Sequence, residues 1–305
     1  RGLARLNQIG SADRLRLSFT STLGVIQRAR GEHDAAEALL QQAVVLSERI
    51  APDSIQLARD LNNLSLIQWD RMDMARAQQT LDRALDIKRR RGASAVDLAA
   101  TLGNLALIAQ PLGRIDDAER YINEALAIYR QGEPTLVLAN TLTTAGRIAD
   151  NRGNSAAAYA AFDEALTLYR QLAPDSSLEA WAHHFKAGKL AEDGRLDAAL
   201  GEAKTAVRLQ RRISPGGRDL SFGLLRLAEI QRDLGQLDAA AAAFDETIAL
   251  RRKHSPDSQS LADALYGAGT VAGALGQLDQ ARSKYCEAVA MLERQRLRWT
   301  QSRDD

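Results

Sequence analysis

The sequence repeats itself about every forty-one residues, and this period limits what the chain can fold into. Four phrases stack most clearly: Leu112-Gly113-Arg114-Ile115-Asp116-Asp117-Ala118, Asp193-Gly194-Arg195-Leu196-Asp197-Ala198-Ala199, Leu234-Gly235-Gln236-Leu237-Asp238-Ala239-Ala240 and Leu275-Gly276-Gln277-Leu278-Asp279-Gln280-Ala281. Weaker copies begin at Arg30-Gly31, Arg71-Met72 and Arg152-Gly153. The turn column therefore reads Gly31, Met72, Gly113, Gly153, Gly194, Gly235 and Gly276, in steps of 40 or 41. A fixed period of this length marks an array of small supersecondary units. Such a unit cannot bury its apolar stripe alone, and stacked units share one continuous core.

Proline keeps the same beat. Pro52, Pro134, Pro174, Pro215 and Pro256 stand one or two periods apart, and Gly92-Ala93-Ser94 fills the skipped place. Proline stops the preceding helix, and the Asp or Ser beside it can cap the next. Between the two kinds of breaker lies a helix pair. Leu102, Leu105, Ala106 and Ala109 recur at helical spacing before Gly113, and Ala118, Ile122, Ala125 and Tyr129 after it. The 54 Ala and 44 Leu fit helix rather than sheet. Helix B ends in basic residues, among them Arg89 to Arg91, Arg211, Arg212 and Arg251 to Lys253. They read as solvated helix ends complementing the dipole. Pro111 falls late in a helix A and is expected to bend it.

The columns carry a family resemblance. The first small column is Gly24, Ser65, Ala106, Gly146, Ala187, Ala228 and Gly269. Early in helix B stands alanine seven times: Ala36, Ala77, Ala118, Ala158, Ala199, Ala240 and Ala281. The bulky column is Leu40, Leu81, Ile122, Phe162, Ala203, Phe244 and Tyr285, where Ala203 departs from the pattern. This set resembles the tetratricopeptide repeat. The common form is about 34 residues long. The longer period, with Leu61-Asn62-Asn63-Leu64 and Gly103-Asn104-Leu105-Ala106, resembles the kinesin-light-chain-like subclass. Bacterial signalling proteins carry similar arrays, some fused to caspase-like proteases.

The resemblance implies an all-α fold, a right-handed α-solenoid of about seven helix-turn-helix repeats. Residues 1–13 read as a partial helix or leader, 14–296 as the array and 297–305 as a polar tail. The repeats fall at about 14–54, 55–95, 96–135, 136–176, 177–217, 218–258 and 259–296. Neither end reads as a cap, so the chain is expected to be a part of a longer protein. The fifth repeat is irregular. Leu57, Leu98, Leu138, Leu220 and Leu261 open the other helices A, but Glu179 holds that place in the fifth, with Leu178 one residue early. A register adjustment or kink is expected there.

Little in the chain points to chemistry. The histidines are His33, His183, His184 and His254, and Cys286 is the single thiol. Cys286 is expected to be a small buried helix-B residue. Adjacent His183 and His184 do not share a helix face, so they could bind a metal only with partners from elsewhere. Gly267-Ala268-Gly269 and Pro215-Gly216-Gly217 follow no strand and lack a Gly-Lys-Ser/Thr, so they read as helix packing and a turn. The expectation is a non-enzyme without metal or cofactor. A net charge of +1 gives no general drive toward nucleic acid or an anionic membrane. No stretch approaches eighteen uncharged apolar residues, so no membrane span is expected. The single cysteine suits a reducing, cytoplasmic setting.

What remains is a binding surface. The resemblance implies that helix A lines a concave groove at its second, fifth, ninth and twelfth positions. Counted from the turn column, these include Arg28, Arg59, Asn62, Trp69, Asn140, Arg147, Trp181, His184, Phe222, Glu229, Arg232 and Tyr266. Exposed Trp, Tyr and Arg are the usual hot-spot residues, and Asn offers an extended backbone both a donor and an acceptor. The alternative for Trp69 and Trp181 is burial between repeats. The family's grip on C-terminal carboxylates needs repeated Lys and Asn in the first helices. No Lys precedes Lys88, so no such clamp is expected. The expected function is a scaffold that binds a protein or peptide segment as the recognition or regulatory region of a larger signalling protein. Two alternatives are a self-assembling spacer, and a regulatory array for an attached protease or kinase effector domain.

Overall fold

The computed structural model describes the backbone of residues 2–304 and the side chains of 12–294 and 296. The fold is all-α, an α-solenoid class of helix-turn-helix repeats. Among the described residues there are fourteen helices and no strand. They pair as α1 (Gly2–Ala29) with α2 (His33–Ile50), α3 (Ile55–Asp70) with α4 (Met74–Arg90), and α5 (Ala95–Ala109) with α6 (Ile115–Tyr129). The series continues with α7 (Leu136–Asn151) and α8 (Ser155–Leu172), α9 (Ser177–Glu192) and α10 (Leu196–Ile213), α11 (Arg218–Asp233) and α12 (Leu237–His254), and α13 (Gln259–Ala274) and α14 (Leu278–Asp304). Odd-numbered helices are helices A of the repeat, and even-numbered ones are helices B.

Two compact units divide within α8, one ending at Ala161 and the other starting at Phe162. In the first, α3 packs on α2 and α4, and α5 on α4 and α6. In the second, α11 packs on α10 and α12, and α13 on α12 and α14.

The local chemistry explains the boundaries. The residue closing each helix A–helix B turn has positive φ, from 70° to 79° at the six glycines and 64° at Met72. Glycine adopts this region at little cost, whereas an L side chain crowds its own carbonyl there. At the opposite loops a hydroxyl starts helix A. Ser54, Ser94, Thr135, Ser176 and Ser258 each accept the N–H three residues on, at 3.1–3.3 Å. In two of the Pro-Asp-Ser loops the aspartate, Asp53 or Asp175, turns the chain with positive φ. Pro111 lies just beyond α5, which ends at Ala109, so it terminates that helix instead of bending it.

The small columns let helices close on one another. Ala36, Ala77, Ala118, Ala158, Ala199 and Ala240 are fully buried. A Cβ on Gly24 would lie 2.8 Å from Leu40 Cγ, and one on Gly269 2.9 Å from Tyr285 Cε1. Leu40, Leu81, Phe162 and Phe244 fill the core between them.

The fifth repeat keeps its register. α9 is an unbroken α-helix, with Glu179, Ala180 and His183 buried and Leu178 exposed. Glu179 stays in the leucine position because polar neighbours satisfy it. Its Oε2 accepts the Asp175 N–H at 2.7 Å, and His183 Nε2 lies 3.8 Å from Oε1. The expected register shift is therefore replaced by a local polar cluster.

At the ends, α1 is one helix from Gly2 to Ala29, and α14 continues to Asp304 through the segment read as a tail. The side chains of Leu3, Leu6, Ile9 and Trp299 lie outside the described residues.

Candidate functional site: the helix-A faces

The positions predicted from the turn column all lie on helices A. Trp69, Arg147, Trp181, His184, Phe222, Glu229 and Arg232 are half-buried, and Arg59, Asn140 and Tyr266 are exposed. Half-burial is what a side chain at a surface shows when part of it packs between neighbours.

In the first unit much of this face is already engaged. Arg28 grips Asp70 through two bonds, 2.6 and 3.3 Å long, linking α1 to α3. Arg59 does the same to Asp97 at 3.0 and 3.4 Å, linking α3 to α5. Hydrogen bonding from Arg59 holds the Asp97 carboxyl below the usual carboxylate range. Asn62 Oδ1 accepts from Asn104 Nδ2 at 3.1 Å. Its acceptor therefore joins two helices, and its donor remains for other partners. Burial lowers the pKa of Arg147, yet a guanidinium stays charged at neutral pH.

The second unit carries an aromatic face. The Trp181 ring centroid lies 5.2 Å from His184, 5.7 Å from Phe185 and 5.5 Å from Phe222. Spacings of 4.5–7 Å are those of interacting rings. Arg218 and Arg251 place their guanidiniums 5.9 and 5.4 Å from the Phe222 centroid, within cation–π reach. Two turns further along α11, Glu229 accepts from Arg226 at 3.1 Å. Burial pushes the Glu229 carboxyl up, and Arg226 opposes the shift. Gly188 lies against that pair, and a Cβ there would touch the Arg226 guanidinium at an ordinary 3.5 Å. The result is an aromatic surface next to a half-buried ion pair, on α9 and α11. Tyr266 stands further along on α13, its ring 5.5 Å from Tyr285.

Three features escaped the sequence reading. Arg251, taken there as a solvated helix end, and Lys88, which stands at the same place in its repeat, are each 3% exposed. They occupy one column with Ser47 and Gln210, sixteen residues after the turn residue, and face the next helix A. Lys88 Nζ donates to the Asp97 carbonyl and to Thr101 Oγ1, both at 2.8 Å. Burial lowers its pKa, partly offset by Asp97. Ser47 donates to Asp60, a fully buried carboxylate that Ser21 also reaches at 2.8 Å. The shared column was the available signal, since one position mixing Ser, Lys, Gln and Arg with Tyr is not a plain solvent face.

The second is a charged cluster on α8, α9 and α10. His183 Nδ1 bonds to Glu202, whose other oxygen takes Lys186 Nζ at 2.7 Å, and Lys186 also holds Asp163 at 2.7 Å. Burial alone would raise the Glu202 carboxyl, but bonds from His183 and Lys186 bring it down to about 2. The third is Cys286, which is exposed on α14 instead of buried. It misled because its helix face, not its residue type, decides its burial.

No group of three or more His, Cys, Asp and Glu side chains among the described residues could hold a metal ion. Among the same residues, no helix is long and apolar enough to cross a membrane.

The fold defines a class, the helical-repeat proteins of the α-solenoid kind. The chain belongs to the tetratricopeptide repeat family, whose model matches residues 16–90, 97–171 and 220–294. The unmatched 172–219 contain the fifth repeat, where Glu179, His183 and Lys186 replace apolar residues. No curated protein matches the sequence. Solved structures share the fold. The chain is similar to a Rap protein complexed with competence and sporulation factor, at 16% identity and TM-score 0.69, over 95% of this chain and 79% of that one. It is also similar to a signal transduction ATPase with numerous domains from Pyrococcus horikoshii, which has a tetratricopeptide repeat sensor. That match has 15% identity and TM-score 0.70 over 94% of this chain and 44% of that protein. A third is the apo form of the quorum sensor NprR from B. thuringiensis, at 13% identity and TM-score 0.63, over 93% of this chain and 88% of that one.

Proposed function

We propose that this chain binds a protein or peptide segment on its helix-A faces, without catalysing a reaction on it. The aromatic face of α9 and α11 provides the main anchor. The observation that carries this reading is the half-buried Trp181–Phe185–Phe222 cluster next to the Arg226–Glu229 pair. A scaffold with no binding role gains nothing from leaving three large rings partly in water, because each forgoes part of a burial worth roughly 1.5–3 kcal/mol when complete. Aromatic and Arg side chains at the centre of a surface are the usual energetic anchors of an interface. In the first unit, the donor of Asn62 and the exposed Asn140 suit the backbone of an extended segment. The likeness to sensor and regulatory proteins supports a role as the recognition region of a larger signalling protein, and the long period supports the kinesin-light-chain-like form of the repeat.

The test begins by selecting peptides on the whole chain from a random-sequence display library. Selected peptides are then titrated calorimetrically into the wild type and into a Trp181→Ala/Phe222→Ala variant. A loss of tenfold or more in affinity, with the helical circular dichroism unchanged, supports the assignment. Equal affinity for both proteins removes the α9–α11 face as the anchor.

A further inference from the structure

The first two repeats enclose a cavity of about 420 Å³, walled by the middle of α1, the end of α2 and the start of α3 with the loop before it. It lies on the side of α1 that packs on α2 and α3. Pockets that hold small molecules start at roughly 300 Å³. Leu17, Ser21 and Ser47 form its buried floor, and Arg14, Ser18 and Gln56 stand exposed around it.

Behind that floor lies the carboxylate of Asp60, fully buried on α3. Ser21 donates to one of its oxygens at 2.8 Å, Ser47 donates to the other, and Gln56 Nε2 reaches both at 3.2 Å. All three donors are cavity-lining residues. No cation pairs with Asp60 among the described residues. Buried charges normally have an opposite charge beside them. The repeat itself does not ask for a carboxylate here. Twelve residues before the turn column, the later repeats carry Thr101, Thr141, Ala182, Gly223 and Ala264.

The hydrogen bonds define what the cavity can hold. Ser21 and Ser47 each direct their one proton to Asp60, and Gln56 directs its amide nitrogen there. What these side chains retain for a ligand is oxygen: two hydroxyl Oγ atoms and Gln56 Oε1, all acceptors. Three acceptors in front of a carboxylate that lacks a counter-charge suit a primary ammonium, which has three N–H donors. Leu17, Ile50 and Ala51 give the cavity an apolar side. Arg14 forms no ion pair among the described residues, so its guanidinium is open to a carboxylate. We propose that this cavity binds a free aliphatic α-amino acid. The ammonium meets Ser21, Ser47 and Gln56 in front of Asp60, the carboxylate pairs with Arg14, and the side chain packs on Leu17 and Ile50. The site lies in the first unit and is independent of the segment proposed for α9 and α11.

Equilibrium dialysis of the whole chain against radiolabelled L-leucine tests it. Saturable retention of leucine is expected. Isocaproate, which is leucine without its amino group, is expected not to compete. Isoamylamine, which is leucine without its carboxylate, is expected to compete at least tenfold more weakly than leucine. Ser18→Leu fills the cavity from an exposed lining position, and it should weaken binding tenfold or more with the helical circular dichroism unchanged. Asp60→Asn keeps the shape of the side chain but removes its charge, and it should weaken binding as much. Absence of saturable retention overturns the proposal. So does isocaproate competing as well as leucine, or a folded Ser18→Leu variant that binds as the wild type does.

Discussion

Met72 is the one residue in the turn column that is not glycine, and it gives a sharp test of the repeat geometry. Its φ is 64°, close to the 70–79° of the six glycines. The left-handed conformation costs an L residue roughly 1–2 kcal/mol. Glycine avoids that cost but loses roughly 0.5–1 kcal/mol more backbone entropy on folding. The Met72 side chain is 75% exposed, so removing it forfeits little burial. Met72→Gly should therefore stabilise the turn by about 0.5–1 kcal/mol. The reverse substitution, Gly113→Ala, should destabilise by a similar amount. No atom lies within 4 Å of the added Cβ, so backbone strain is its only cost. Repeat arrays open locally, so native-state hydrogen exchange of α3 and α4 is the suitable assay, with urea unfolding alongside. Slower exchange in Met72→Gly and faster exchange around Gly113→Ala are expected. A Met72→Gly variant that opens more readily would refute the reasoning, because some contact of the methionine would then outweigh the strain.

Other expectations follow from single contacts. Gly267→Ala places a Cβ 2.5 Å from the buried Phe244 ring, and it should lower stability by about 1–3 kcal/mol in urea unfolding. Ser47→Ala takes a hydrogen bond from the fully buried Asp60, and thermal unfolding should register a loss of about 1–3 kcal/mol. The Glu202 carboxyl lies at about 2 in the fold against an ordinary 4.5, so the unfolded chain binds the proton first on acidification. Its contribution, on the order of 3 kcal/mol, is fully present above about 4.5 and is lost as pH falls through about 2. Glu202→Gln should flatten that part of the acid-unfolding curve. Lys88 has the opposite charge and a lowered pKa. Below its folded pKa its burial penalty is present. As pH rises from that value to the ordinary 10.5 the penalty disappears, so Lys88→Met should reduce the alkaline gain in stability.

The fold was legible because the chain states it seven times. Turn glycines, loop prolines and small columns each have a local cause, and that cause acts wherever the residue stands. The helix-A positions were legible by the same counting, and Trp181 and Phe222 meet because the period places them on neighbouring helices. What counting could not show was which polar groups are already engaged. Asn62, Arg28 and Arg59 read as open groove residues, but their partners Asn104, Asp70 and Asp97 lie about one period away. Arg251 misled for a related reason. A cationic residue late in a helix is normally solvated, but the next helix A covers this one, as it covers Lys88. Glu179 looked like a fault in the register because its compensating groups, His183 and the Asp175 N–H, are visible only once the chain is folded.

The most direct test of the central claim is hydrogen exchange of the whole chain with and without a library-selected peptide. The account predicts slower exchange in α9 and α11, around Trp181, His184 and Phe222, with the outer surfaces of α10 and α12 unchanged. Protection confined to the helices B would place the partner on the opposite surface and contradict the account.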